Sequence, residues 1–380
     1  MNQRENALEK LTRLAPTVSN SAVKEWKSEG KSIVGYICSY IPEEIFHAAG
    51  ILPYRIGARG CQYTTLADAV MAPITCSFAR CCLELALRGE YNFLDGLVFM
   101  NGCDGMRRMC DDWVHKVDVG FSCAISVPHK TDEDAVEWYK QELCTLRGKL
   151  QELSGVSITR EGLQNSIQIC NKTRQLLKRL YELRQRHNPP LAGAEVQDIV
   201  VMANAMPKQD YNNLLEEAIG EASERKGLTD YRARLMIVGN MLDDSGYTRL
   251  IEELGGLVVT DFSCFGTLSF WRPVNSTEEP MDGIANAYLN RVTCPRMPCK
   301  QAAMRDLMKE MVEVFRVDGI IFERMMYCNL WSGETMALEK IAQDMNIPLL
   351  VLDRKYIAAG LGQVRTRIQA FLEIIEGGKR

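Results

Sequence analysis

The sequence predicts an α/β protein of two doubly wound, parallel-sheet lobes with a helical insertion between them. Three observations carry that reading. Short apolar runs bounded by turn signals recur in both halves, as in Leu94–Phe99 and Gly319–Phe322, and runs of this length read as strands buried on both faces. Helical patterns alternate with those runs, which implies parallel sheets covered on both sides. From Asp132 to about Glu224 the pattern changes to long, charged helical stretches. The division that follows is an N-terminal α/β lobe over residues 1–150, a helical connecting segment over 151–230 and a C-terminal α/β lobe over 231–380. Each lobe reads as a Rossmann or flavodoxin-like sheet.

The elements follow in order. Residues 5–29 read as one amphipathic helix with Leu8, Leu11 and Leu14 on a face. Ser32–Cys38 is strand-like, Pro42 opens a helix from its first turn, and Ile51–Ile56 is the next short strand. A helix start at Pro73 and Thr75, the Leu94–Phe99 strand, a helix from Asp104 and the run Phe121–Val127 complete the first lobe. Asp132-Glu133-Asp134 is an acidic helix start, and Ser157–Glu161 opens another helix that runs to His187-Asn188-Pro189-Pro190. Strands resume at Ala233–Gly239, Leu257–Thr260, Gly319–Phe322 and Pro348–Leu352.

Bulk composition narrows the function. A chain of 380 residues exceeds one ordinary core and suggests two domains. A net charge of −4 offers no broad attraction to nucleic acid or an anionic membrane surface. No stretch approaches eighteen uninterrupted apolar residues. The polar start Met1–Asn6 has no signal-peptide apolar run, so the protein reads as cytoplasmic. Fourteen cysteines in a reducing compartment raise the weight of metal binding or catalysis over disulfides. No Cys-x-x-Cys pair is present, and the four histidines form no ligand pair at helical spacing. A cluster bound by widely separated thiolates is the metal reading left, against simple packing of small apolar side chains.

Three cysteines stand out. Cys76 lies at a helix start. Cys103 and Cys328 each follow an Asp-Gly turn and an apolar run containing Phe. Ligands of open parallel sheets bind beyond the carboxyl ends of the strands, which is where these cysteines fall. Exposed amides at a helix start favour a thiolate, and Arg80, Arg107 and Arg108 are close in sequence. Three thiolates on a four-iron cluster leave one iron open to substrate or solvent.

The segments around these cysteines resemble the 2-hydroxyacyl-CoA dehydratase and benzoyl-CoA reductase family. The resemblance runs nearly the whole chain: Pro42–Ile45 with Ala48-Ala49-Gly50, Cys76–Arg80, Gly102–Arg108, Asp261–Cys264, Asp318–Ile321, Tyr327-Cys328 and Gly362–Phe371. It implies a 4Fe-4S cluster held by Cys76, Cys103 and Cys328 in one subunit of a heterodimer with a homologous second subunit. It further implies an acyl-CoA substrate and a separate ATP-hydrolysing iron–sulfur activator. In such dehydratases an electron enters the thioester carbonyl, the ketyl radical expels the 2-hydroxyl, a β-proton leaves and the electron returns. Benzoyl-CoA reductases instead keep the electrons in the ring. Many members follow the third cysteine with Asp-Pro, whereas this chain has Cys328-Asn329-Leu330-Trp331. That departure bears on the subfamily and the reaction. A non-catalytic iron–sulfur carrier, or a cysteine-rich protein without metal, are the readings from other classes.

Other residues have two readings each. Glu43 and Glu44 are candidate proton-transfer groups or simply acids at a helix N-terminus. Ser39 and Tyr40 are weaker candidates for hydrogen bonds to a thioester. Cys264, past a strand end, either lines the site or packs, and packing is preferred. Cys81, Cys82 and Cys110 read as core. Cys294 and Cys299 flank two prolines and read as a turn before the Gln301–Phe315 helix. Arg365 and Arg367 either contact CoA phosphates or form a solvated face. The chain lacks a phosphate-binding Gly-x-x-x-x-Gly-Lys element, in keeping with an ATPase carried by a partner.

Overall fold

The computed structural model describes residues 5–292, 294–357 and 361–378; Met1–Arg4, part of the polar start read above, lie outside them. Among the described residues, eight strands form two parallel sheets. In the first, β1 (Ile33–Tyr36), β2 (Leu52–Arg55), β3 (Gly96–Met100) and β4 (Phe121–Ile125) lie in the order β2-β1-β3-β4. In the second, β5 (Ala233–Gly239), β6 (Gly256–Phe262), β7 (Gly319–Met325) and β8 (Leu349–Arg354) lie in the order β6-β5-β7-β8. The two orders are the same. In each sheet the chain moves first to one side of its opening strand and then to the other. That reversal is where an open parallel sheet leaves a crevice at its carboxyl edge. The opening strands β1 and β5 are buried along their whole length, which explains their largely apolar sequences, Arg234 of β5 being buried with its guanidinium bound to backbone carbonyls.

Gly239 ends β5 with φ 148°, and a Cβ there would stand 2.1 Å from the Glu323 carbonyl oxygen of β7. Only glycine allows the two strands to approach this closely at the mouth of the crevice.

Along the chain, four α-helices lie between β4 and β5: Glu133–Ser154, Arg160–Glu182, Gly193–Met202 and Lys208–Glu224. Asp132 and Thr159 cap the first two through side chains that accept the Ala135 and Gly162 N–H. The expected single helix over residues 5–29 is instead two, Ala7–Leu14 and Ser21–Ser28. Pro16 follows the first helix, and Asn20 starts the second by accepting the Val23 N–H. No helix among the described residues is long and apolar enough to cross a membrane.

Candidate functional site

Cys76, Cys103 and Cys328 occupy the same local position. Each is the N-cap of a helix, respectively Ser77–Leu87, Asp104–Lys116 and Asn329–Gly333. The first helix starts at Ser77, a few residues later than Pro73 and Thr75 suggested. All three cysteines line one cavity of 710 Å³ at the carboxyl ends of both sheets. Gly105 seats the second helix against the first: a Cβ there would be 3.4 Å from the Cys76 Cβ. Tyr327, on the cavity wall, holds a positive φ of 67°, which turns the chain from β7 into Cys328.

The wall contains more sulfur than the sequence suggested. Cys264, after β6, and Cys294 both line the cavity. The turn expected at Cys294 forms, with the Met297 N–H donating to the Cys294 carbonyl at 3.2 Å, and Cys264 packs against the core while facing the cavity. Cys38, just past β1, adopts φ 92°, a conformation that costs a residue with a Cβ roughly 1–3 kcal/mol. Its neighbour Ser39 donates to the Cys264 carbonyl at 3.2 Å and accepts from Arg55 at 3.0 Å. The signal available in the sequence for Cys264 was position alone, since it stands just beyond a strand, and Cys38, beyond β1, is not part of the wall. Cys81, Cys82 and Cys110 are buried, as expected, and Cys299 is exposed.

Burial pushes the Cys76 thiol up to about 11, against the Ala79 and Phe78 N–H groups. It pushes Cys103 up to about 12, against the Met106 N–H. The expected helix-terminal amides are therefore present, but desolvation outweighs them in the free thiols. A bound cation reverses that balance, because a coordinating thiol is deprotonated by the metal. Two of the three arginines expected nearby have carboxylate partners: Arg80 pairs with Asp68 at 2.5 Å, and Arg108, on the wall, pairs with Asp104 at 3.7 Å.

Glu43 and Glu44 do not line the cavity. Glu44 is fully buried, bound by Arg174 at 2.6 Å and Tyr288 Oη at 2.7 Å. Glu43 pairs with Lys208. Tyr40 is buried and accepts at its carbonyl from Tyr139. Arg365 pairs with Glu253 at 3.3 Å, and Arg367 donates to the Val351 carbonyl at 2.8 Å, so neither reaches the cavity.

Among the described residues, no three His, Cys, Asp or Glu side chains converge tightly enough to hold a single metal ion. The donors on the wall are thiols, which suit a soft metal or an iron–sulfur cluster, and 710 Å³ leaves room for a group of several atoms. Thiol identity and a shared cavity thus fit the implied cluster. Phe78, Met241, Leu330 and Trp331 make the remaining wall largely apolar, the usual lining of a small-molecule site.

Fold and site together define a two-sheet α/β protein whose ligand cavity opens where both sheets reverse direction. The chain belongs to the family described as 2-hydroxyglutaryl-CoA dehydratase, D-component, which it matches over residues 38–375. It is 25% identical to a benzoyl-CoA reductase component of Thauera aromatica, over 94% of each chain. It is also 25% identical to the putative dehydratase component YjiM of Escherichia coli, over 93% of this chain and 94% of that one. To the beta subunit of (R)-2-hydroxyglutaryl-CoA dehydratase from Acidaminococcus fermentans it is 24% identical, over 92% of this chain and 94% of that one.

Proposed function

We propose that this chain is the iron–sulfur subunit of a 2-hydroxyacyl-CoA dehydratase. The observation that supports this most is the convergence of Cys76, Cys103 and Cys328, three helix N-caps from two sheets, on one 710 Å³ cavity. These residues would hold a 4Fe-4S cluster, which supplies single-electron transfer to a thioester carbonyl. The chain's own contribution is binding and exclusion. The three thiols anchor the cluster, the helix amides of Phe78, Ala79 and Met106 offset its negative charge, and the apolar wall limits water. A homologous second subunit and an ATP-hydrolysing activator complete the proposed system, with an acyl-CoA as substrate.

Iron and acid-labile sulfide, measured on protein purified without oxygen, test this. Cys103→Ser and Cys328→Ser should each lower iron while far-ultraviolet circular dichroism stays unchanged. Unaltered iron and sulfide in both variants would remove the cluster assignment. A second reading, a benzoyl-CoA reductase component, is supported by the equal similarity to a component of that enzyme. With activator, ATP and acyl-CoA, a dehydratase uses ATP sub-stoichiometrically without net oxidation of the electron donor. Sustained consumption of both would indicate the reductase.

A further inference from the structure

Three buried arginines stand behind one side of the cavity: Arg55 at 3% exposure, Arg291 at 5% and Arg296 at 4%. Among the described residues none of them makes a salt bridge to a carboxylate; Arg291 acts on the buried Glu44 through its charge alone, Glu44 being bound by Arg174 and Tyr288. Arg55 donates to the Cys264 carbonyl at 2.6 Å and approaches the Cys264 Sγ at 3.4 Å. Arg291 reaches the Ser39 carbonyl at 3.5 Å, and its Nε and second terminal nitrogen have no hydrogen bond. Arg296 donates to the Val127 carbonyl at 2.5 Å and to Asn101, and its Nε is unpartnered. Burial of these guanidinium groups makes negative charge at this wall stabilising.

Burial pushes the Cys264 thiol up, and the Arg55 charge pulls against that. The sulfur lines the cavity, accepts from Arg55, donates to the Met241 sulfur at 3.2 Å, and its residue's carbonyl is held by the Ser39 hydroxyl. A thiolate beside a guanidinium is a nucleophile, and its reactivity follows the charge next to it.

We infer that Cys264 is a reactive thiol of the cavity, with Arg55 as its positioning residue, and that it takes a soft electrophile entering from the cavity side. This rests on the geometry of Arg55, Ser39 and Cys264 and holds whether or not a cluster is bound by Cys76, Cys103 and Cys328.

Alkylation by iodoacetamide reads this directly. The Cys264 sulfur displaces iodide from the reagent carbon, forming a carbon–sulfur bond and releasing iodide, and the thiol proton goes to buffer. Labelling followed by peptide mass spectrometry, on protein kept without oxygen, should modify Cys264 at least tenfold faster than the buried Cys81, Cys82 and Cys110. Arg55→Met should slow labelling at Cys264 about tenfold and move its pH profile to higher pH, with partial recovery in Arg55→Lys. A Cys264 that labels no faster than the core cysteines, or at the same rate and pH in Arg55→Met, would overturn the inference. Iron content is read on the same samples: lost iron with fast Cys264 labelling sinks only the cluster reading, and retained iron with slow labelling sinks only this one. The wild-type rate decides the matter even where the Arg55 variants fail to fold.

Discussion

Glu44 has no exposed surface, yet burial does not win its ionisation equilibrium. Desolvation pushes its carboxyl up, but the Arg174 and Arg291 charges and the Tyr288 hydrogen bond outweigh it and hold the group below its usual 4.5. A carboxyl depressed in the folded state adds stability above its unfolded value, and that stability is lost as pH falls through the folded one. Glu44→Gln should therefore cost about 3–5 kcal/mol near neutrality, because Arg174 is left buried and unpaired. The same variant should flatten the loss of stability below about pH 4.5. Chemical denaturation across pH 3–7 checks both, and a wild-type-like acid limb would contradict the assignment. At this scale the sequence showed an acid at a helix start. It did not show the partners, which lie 130 and 244 residues away.

Elements were the most legible level. Asp132 and Thr159 announced the starts of two long helices because an N-cap acts within three residues. Thr159→Ala should cost about 1 kcal/mol in thermal or denaturant unfolding. The helix expected over residues 5–29 failed for an equally local reason: an apolar face continues past Pro16, but the backbone cannot. Gly239 raises a different issue, since its need for glycine comes from β7 and not from its own strand. Gly239→Ala should destabilise by more than about 1 kcal/mol, and a neutral result would show that β5 and β7 can separate at this end.

In the whole molecule, long-range hydrogen bonds tie the helical segment to the second sheet. Arg234, at the start of β5, donates to the Arg184, Arg186 and His187 carbonyls and to Phe315. Arg234→Met should cost roughly 3 kcal/mol or more, since hydrogen bonds to a charged group are worth about 1.5–3 kcal/mol each. Faster proteolysis between residues 183 and 232 is the expected sign, and an unchanged cleavage rate would show that packing alone holds the segment.

What this sequence determines by itself is local. Turn signals, caps and apolar runs place each strand, and an Asp-Gly-strand-Cys pattern repeated in both halves marks Cys103 and Cys328 as strand-end residues. Such features act over a few residues, so they survive reading in one dimension. What only the tertiary structure decided is which thiols share a space. Cys264 packs and Cys294 forms a turn, as read, and only the assembled fold makes both of them cavity wall as well. The contact between Arg55 and Cys264 spans 209 residues. No periodicity or spacing encodes a separation of that length; it arises from two sheets that pack on one shared apolar core.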